Sequence, residues 1–196
     1  KILVSNQAGK SNLLSRLESI GMEINSDDKR INSLLEIVKE KEFQGYSYDG
    51  AGASFEILAK NVLDQVPNFF SVESYEVTIV GSKDNKSLSK ANISINVDDR
   101  IINSVGEGNG PVNALDNALR KDLGIYNEYI QDLILVDYKV RILDGGTEAI
   151  TRVVIESSDT KNQSWFTVGI SPNIIEASFE ALMDSINYKL IKSNIK

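Results

Sequence analysis

A glycine-rich loop that runs into a helix contains the residues of this sequence that are best suited to binding chemistry. The loop has Gly106, Gly108 and Gly110, and Pro111 follows where a helix would begin, because proline suits the first helical turn. Apolar side chains then recur at helical spacing as far as Leu123. The free N–H groups at the start of such a helix can bind a carboxylate. A plain strand-to-helix turn has the same sequence pattern, so this stretch alone leaves both interpretations open.

The composition excludes several classes of function. The chain has 196 residues, with 28 acidic side chains against 21 basic ones, and its formal net charge of −7 argues against nucleic acid or an anionic membrane as a partner. No apolar run has the length of a membrane span and no signal peptide is visible, so we expect a cytoplasmic protein. Histidine and cysteine are absent, which excludes imidazole-based metal sites, catalytic triads and disulfides. Chemistry that relies on carboxylates or tyrosines remains open.

Helical spacing dominates the first third of the chain. Before it, the apolar residues of Lys1–Ser5 predict a short strand. Three helices are then predicted, of which Asp27 and Asp28 open the second and Ser54 caps the third. The last of these helices ends before Pro67. We therefore predict a short helical subdomain over residues 1–66.

After Pro67 the apolar residues alternate with polar ones, which is the spacing of strands. Three strands and a helix are predicted, and the same order of elements then recurs. Landmark residues of the two halves share one offset of 63 positions: Tyr75 and Tyr138, Val105 and Val168, Gly106 and Gly169, Ala114 and Ala177, and Leu119 and Leu182. A constant offset of this kind indicates an internal duplication.

The predicted fold class is therefore α+β, with a duplicated βββα domain after the helical subdomain. The duplicated domain spans 67–196, and its two units span 67–126 and 127–196. One helix shields only part of one face of a three-stranded sheet. We therefore expect the two units to pack against each other, and a homodimer would extend this packing. Grooves between related units are suitable sites for small molecules.

The stretch Gly108–Lys121 resembles the C-terminal regulatory domain of the isopropylmalate/homocitrate/citramalate synthase family. Other stretches of the duplicated domain resemble the same family: Asp137–Arg141, Gly146-Thr147, Ile155–Asp159, Trp165, Thr167–Ser171 and Asn173–Ser178. Three stretches of the helical subdomain resemble the segment that follows the barrel in the citramalate branch: Leu3–Ser5, Gly9–Asn12 and Ala53–Glu56. The resemblance covers nearly the whole chain. Because the chain begins at Lys1 rather than at methionine, we expect it to be part of a longer protein.

The resemblance implies a parent enzyme that condenses acetyl-CoA with a 2-oxo acid, which is pyruvate in the citramalate branch. That reaction would take place in a TIM barrel whose divalent metal is held by an aspartate and a His-x-His motif. This sequence has no histidine and no barrel pattern. We therefore expect it to contain no catalytic residue, no metal site and no cofactor, and we expect the divalent metal in the barrel alone.

The resemblance also implies the partners of the chain. In the family, the regulatory domain forms a homodimer and binds the end-product amino acid, which is isoleucine for citramalate synthases and leucine for isopropylmalate synthases. We therefore expect three partners: a second copy, the catalytic TIM barrel of the full-length chain, and isoleucine or else leucine. The helical stretches that resemble the citramalate branch favour isoleucine. No nucleic acid and no membrane are expected as partners.

The binding site that the resemblance implies lies at the glycine-rich loop and on the strands of the second unit. The N–H groups of Gly108, Asn109 and Gly110 would bind the carboxylate of the amino acid. The side-chain oxygen of Asn113 would accept a hydrogen bond from its ammonium group. The pocket wall would be formed by Val112, Leu135, Tyr138, Ile142, Ala149, Ile170 and Pro172. For these apolar residues, a place in the ordinary core is the alternative interpretation.

Two of these residues conflict with a regular strand. Leu135 and Tyr138 have opposite strand parity, so an undistorted strand would turn their side chains to opposite faces. Either a β-bulge lies between them, or they face different walls across the dimer.

Tyr46 and Tyr48, in a second glycine-containing loop, either assist a neighbouring active site or pack their own loop.

Three functions compete at this point. The first is the regulatory domain of an acyltransferase, in which the bound amino acid stabilises one dimer arrangement and the helical segment carries that bias to the barrels. The second is a purely structural dimerisation module, with an apolar interface and no ligand pocket. The third is an RNA-binding βββα module, which the acidic charge and the absence of a basic stripe disfavour.

Overall fold

The structure is a computed structural model that describes residues 2–63, 66–81, 83, 87–143, 149–161 and 163–195, with the side chains from residue 9 onwards. The Gly146-Thr147 stretch lies outside these residues. The helices and strands follow in the order α1 (Ile2–Ser19), α2 (Lys29–Phe43), α3 (Gly52–Val62), β1 (Ser71–Gly81), β2 (Ser87–Val97), β3 (Arg100–Gly108), α4 (Pro111–Lys121), α5 (Asn127–Ile130), β4 (Ile134–Ile142), β5 (Thr151–Ser158), β6 (Ser164–Ser171) and α6 (Ile174–Lys192). The combination of helices with two antiparallel sheets confirms the predicted α+β class. Among the described residues, no helix has the length and apolar character that a membrane crossing requires.

Helices α1, α2 and α3, within residues 2–63, form the helical arm. The strand predicted for Lys1–Ser5 is wrong, because α1 already begins at Ile2. A short apolar run has no strand to pair with among the described residues of the arm, and no proline interrupts the helical residues that follow it. Helix α2 begins as predicted, with the Asp28 carboxylate accepting from the Arg30 N–H at 2.9 Å.

The rest of the described chain contains two equivalent βββα units. In each unit three antiparallel strands lie side by side in sequence order, β1-β2-β3 and β4-β5-β6, and one helix, α4 or α6, packs on the sheet. The register of β1 shifts between Val72 and Ser74, and that of β4 shifts between Leu135 and Asp137. These irregularities are related by the same offset of 63 positions, so the predicted repeat is confirmed down to its β-bulges. The domain boundary at 66/67 stays a prediction.

Each third strand meets its helix at a glycine. A Cβ atom added to Gly106 in β3 would lie within 3.0 Å of the Ala114 carbonyl oxygen and of the Ala118 backbone in α4. A Cβ atom on Gly169 in β6 would meet the Ala177 carbonyl in α6 just as closely. Because real Cβ atoms do not approach backbone atoms so closely, only glycine lets each helix pack directly on its strand. The two glycines therefore set the distance between sheet and helix in both units.

Replacing Gly106 with alanine should destabilise the protein by about 1–3 kcal/mol or more, because α4 must move away from β3 to make room. Gly81→Ala is the matched control, since Gly81 also lies near the end of a strand and an added Cβ has nothing within 4 Å. Urea unfolding measures the free energy of unfolding of both variants. If the two variants were equally stable, α4 would not rest on Gly106.

The helical arm is attached to β6, the edge strand of the second sheet. The Val168 N–H donates to the Ser54 hydroxyl at 3.0 Å, and this hydroxyl donates to the Asp184 carboxylate in α6 at 2.6 Å. Val168 itself is buried in the apolar cluster of the arm. The predicted cap role of Ser54 is wrong, because α3 begins at Gly52 and no side chain caps it. The Ser54 hydroxyl instead accepts a hydrogen bond from a backbone N–H at the edge of the sheet, which keeps the arm in place.

Two carboxylates meet at the contact between the arm and α6. Glu180 accepts from the Ile170 N–H at 2.9 Å and from the Tyr46 hydroxyl at 2.5 Å. Asp184 lies one turn further along the same helix. Removal from water and the charge of Glu180 together raise the pKa of Asp184 to about 7, although the hydrogen bond from Ser54 opposes the shift. The contact between the arm and α6 therefore contains a carboxyl group whose pKa lies well above its ordinary value.

Asp184 should make the protein less stable as the pH rises from about 4 to about 7. The unfolded carboxyl loses its proton near pH 3.8, whereas the folded one keeps it up to about pH 7, so folding binds a proton across this window. Asp184→Asn should flatten this part of the stability profile and raise the free energy of unfolding at pH 8 by about 2–4 kcal/mol. Urea unfolding at several pH values checks this, with the exposed Asp49 changed to Asn as the control. A variant profile parallel to that of the wild type would contradict the assignment.

Candidate ligand site

A cavity of about 540 Å³ opens between α4 and β4. It therefore lies between the helix of the first unit and the first strand of the second unit. The residues that line it combine an apolar wall with an ion pair and an amide: Val112, Asn113, Asp116, Arg120, Leu133, Ile134, Leu135 and Tyr138. Apolar walls with a few placed polar groups are the usual form of a small-molecule site. Four of the lining residues, Val112, Asn113, Leu135 and Tyr138, belong to the site that the resemblance implies.

The register shift in β4 explains how Leu135 and Tyr138 line one cavity. The shift lies between Leu135 and Asp137, so the strand has one extra residue there, and the side chain of Val136 is exposed. Tyr138 then pairs with Ile155, on the buried face of the sheet. The β-bulge hypothesis is thereby confirmed. A single copy of the chain is sufficient to bring the two side chains together.

An ion pair forms one side of the cavity. The Arg120 guanidinium donates to the Asp116 carboxylate one turn earlier in α4 and, at 2.5 Å, to the Leu133 carbonyl oxygen. Asp116 is only 5% exposed, and burial raises the pKa of its carboxyl although the charge of Arg120 lowers it. The Nε atom of Arg120 is buried and has no hydrogen-bond partner in the part of the chain that the structure describes. The pair thus places a carboxylate and an incompletely satisfied guanidinium beside the cavity.

Neither Asp116 nor Arg120 is among the site residues predicted from the sequence. Charged residues four positions apart on a helix usually lie on its solvated face, so the spacing of Asp116 and Arg120 predicts a surface ion pair and not a binding site. One signal is nevertheless present, because Asp116 lies four positions after Val112 and three before Leu119, on the apolar stripe of α4. A charged side chain on such a stripe must be paired or must bind a ligand.

The glycine-rich loop leads into α4 without a side-chain cap. Gly110 is the N-cap residue, and no side chain accepts a hydrogen bond there. In the second unit, the equivalent Asn173 side chain accepts from the Ile175 N–H at 2.9 Å. The Asn113 carboxamide, which lines the cavity, accepts from the Asn109 N–H at 3.3 Å and so holds the loop. Helix α4 therefore begins beside the cavity without the side-chain cap that α6 has.

Other predicted site residues are not among those that line the cavity. Gly108 ends β3 just before the loop, and a Cβ there would lie within 3.0 Å of the Asn113 side chain. Ile142 follows Tyr138 in β4 on the same face of the sheet, and it is 64% exposed. Ala149 precedes β5 and is partly buried. Their part in binding stays a prediction, as does that of the backbone N–H groups in the loop.

Ile170 and Pro172 line a second cavity, of about 700 Å³, next to the end of α2. Ile170 pairs with Arg152 across the sheet, and the Arg152 guanidinium donates to the Gly45 carbonyl of the arm at 2.6 Å. This face of the sheet is opposite to the face that carries Tyr138. Within one chain, the structure does not bring Ile170 together with Tyr138.

Tyr46 and Tyr48 stack on each other in the arm, with ring centroids 5.8 Å apart. Burial raises the pKa of both phenols, and Tyr48 also packs edge-on against Phe55. Both rings thus pack the arm, while a role at a neighbouring active site stays a prediction. Within the described ranges, no three acidic side chains are grouped closely enough to hold a metal ion.

Comparison with known proteins gives an independent line of evidence. The family model of the LeuA allosteric (dimerisation) domain matches residues 49–190. An (R)-citramalate synthase of Geobacter sulfurreducens is 46% identical over 198 residues, covering 98% of this chain and 37% of that protein. An (R)-citramalate synthase of Aquifex aeolicus is 43% identical, with the same two coverages. A 2-isopropylmalate synthase of Ruminiclostridium cellulolyticum is 31% identical over 122 residues, 62% of this chain and 22% of that protein. The chain thus spans 37% of the length of these (R)-citramalate synthases.

Proposed function

This chain belongs to the family of the LeuA allosteric (dimerisation) domain, and we propose that it is the regulatory part of an acetyl-CoA-dependent acyltransferase of the citramalate synthase type. The cavity beside Tyr138 binds the end-product amino acid isoleucine, and binding inhibits the enzyme by feedback. The parent enzyme condenses acetyl-CoA with pyruvate in a catalytic TIM barrel. The similarity to the two (R)-citramalate synthases supports this proposal.

The observation that carries the proposal is the occurrence of an apolar wall and two opposite charges in one cavity. A free amino acid has an ammonium group, a carboxylate and, in isoleucine, a branched apolar side chain. Asp116 and the Asn113 oxygen accept from the ammonium group, while Arg120 and the uncapped start of α4 donate to the carboxylate. Leu135 and Tyr138 provide the apolar wall for the side chain.

A second copy of the chain is the proposed partner of the exposed apolar surface. The first strands of both sheets expose apolar side chains, with Ile79 57%, Val140 42% and Ile142 64% exposed. Ile79 and Ile142 are equivalent under the offset of 63 positions, so both units leave the same part of a sheet uncovered. A twofold arrangement of two copies covers such surfaces reciprocally. The family's description as a dimerisation domain supports this partner.

Ligand binding acts, in this proposal, on the arrangement of the two units. The ligand joins α4 of the first unit to β4 of the second, and α6 of the second unit holds the helical arm through Glu180 and Asp184. A ligand that prefers one arrangement of the units therefore also biases the position of the arm. Coupling of this kind typically amounts to about 1–3 kcal/mol. Equal affinity of isoleucine with the arm docked and with the arm released would contradict this mechanism.

Two alternatives differ from this proposal in what the cavity binds. In a 2-isopropylmalate synthase the same cavity would bind leucine, and the similarity to the Ruminiclostridium enzyme supports this alternative over a shorter stretch. In a purely structural dimerisation module the cavity would bind neither amino acid. Isoleucine and leucine are isomers, and an apolar cavity separates such ligands by only about 1–3 kcal/mol. A binding measurement therefore decides between the three.

Calorimetric titration of the chain with L-isoleucine and L-leucine in parallel tests the proposal. We expect isoleucine to bind about tenfold more tightly or better, because the cavity is proposed to fit its branching at Cβ. L-Aspartate, which lacks an apolar side chain, is the control ligand. Tighter binding of leucine would favour the 2-isopropylmalate branch. Binding of neither branched amino acid would overturn the proposal in favour of the dimerisation module.

Tyr138→Ala should weaken isoleucine binding about 10- to 100-fold, because it removes the aromatic wall of the cavity. Tyr138→Phe is the matched control, since it keeps the ring and loses only the 2.8 Å hydrogen bond between the phenol and the Ser178 hydroxyl. Calorimetry measures both affinities, and circular dichroism verifies that both variants are folded. Unchanged affinity of the alanine variant would remove Tyr138 from the site.

A further inference from the structure

The cavity has a counterpart in the first unit, because the residues that line it have equivalents under the offset of 63 positions. In both places a bulged first strand faces the helix of the other unit, β4 facing α4 and β1 facing α6. The equivalent residues are Val72 for Leu135, Tyr75 for Tyr138, Ile175 for Val112, Phe179 for Asp116 and Met183 for Arg120.

The two positions are occupied differently. In the first unit, the ring of Phe179 stacks on the ring of Tyr75, with centroids 4.4 Å apart and planes inclined by 18°. Met183 packs in the same apolar cluster as these two rings. At the equivalent place in the second unit, Asp116 pairs with Arg120, and the cavity lies beside them. The filled position thus has a Phe–Met pair where the open position has an Asp–Arg pair.

The N-termini of α4 and α6 also differ, because only that of α6 has a side-chain cap. Helix α4, at the open position, has the uncapped residue Gly110 at its start, whereas Asn173 caps α6 at the filled position. The equivalent of Asn113 is Glu176, whose carboxylate accepts from the Ser171 hydroxyl at 2.7 Å. The cap and the carboxylate at the start of α6 disfavour the carboxylate of a ligand there, because one N–H group is already used and like charges repel.

We infer that the chain carries two equivalent ligand positions, one of which is permanently filled by Phe179, so that each copy binds a single amino acid. The count of one amino acid per copy rests on the proposed function, whereas the equivalence of the two positions does not. At the open position the side chain of the ligand lies against Tyr138 as the Phe179 ring lies against Tyr75. Phe179 therefore sets the stoichiometry of binding.

The double substitution Asp116→Phe with Arg120→Met copies the filled position into the open one. We expect the new ring to stack on Tyr138, the melting temperature to stay the same or rise, and binding of L-isoleucine to fall by more than 100-fold. Arg120→Met alone is the control, because it leaves the buried Asp116 carboxylate unpaired and should lower the melting temperature. A double variant that melts well below the wild type would overturn the equivalence of the two positions, whether or not the wild type binds an amino acid.

Phe179→Ala is the converse substitution and should open the filled position. NMR should then detect benzene, used as an apolar probe, next to the ring of Tyr75, as in other cavities that a large-to-small substitution creates. Phe69→Ala is the control, since it removes a ring that packs on Tyr126 instead. Benzene next to Tyr75 in the wild type, or its absence there in Phe179→Ala, would overturn the inference.

Calorimetry of the wild type tests the count of ligands separately. We expect one L-isoleucine per chain, and two per chain would overturn the role of Phe179. If the wild type bound neither isoleucine nor leucine, the proposed function would fail. The melting temperature of the double variant and the benzene experiment would still decide whether the two positions are equivalent.

Discussion

The constraint on which the structure depends is that one helix cannot cover a three-stranded sheet. Helix α4 packs mainly on β3 and β2, and α6 packs mainly on β6 and β5, so β1 and β4 are the strands that the helices of their own units cover least. Each of these strands also faces the helix of the other unit, β1 through the stacking of Tyr75 on Phe179 of α6 and β4 across the cavity beside α4. The cavity, its filled counterpart and the exposed side chains of Ile79, Val140 and Ile142 lie along these two strands, where the cover is incomplete.

The repeat can be predicted from the sequence because periodicity reports which face of each element is buried, and a constant offset reports the duplication. The β-bulge in β4 could be anticipated only as a conflict of parity between Leu135 and Tyr138. Ser54 shows what local patterns miss. Its sequence context is that of a helix cap, but its hydroxyl is used at Val168, 114 positions further along the chain. The short apolar run at Ile2 fails as a strand for a similar reason, since a strand requires a distant partner.

The site is less predictable than the fold because it is formed between units. The resemblance leads to Val112, Asn113, Leu135 and Tyr138, which line the cavity, but also to Ile170, which lies on the opposite face of the second sheet. Asp116 and Arg120 escape notice because a charged pair on a helix is ordinary until the neighbouring strand is known to bury it. Phe179 escapes notice too, because an aromatic residue on an apolar stripe is ordinary core. Only the comparison of equivalent positions shows that Asp116 and Phe179 occupy the same place in the two units.

The Asp116–Arg120 pair makes the open position chemically suited to a zwitterion. When the cavity is empty the two side chains neutralise each other, so the fold does not contain an isolated buried charge. A zwitterion can exchange this contact for two of its own without changing the net charge of the cavity, whereas an acid or an amine alone would leave one buried side chain unpaired. Phe179 and Met183 are uncharged, so the filled position has no ion pair that a zwitterion could exchange for contacts of its own. The duplication has thus produced one position that is closed by its own side chains and one whose charges can change partners.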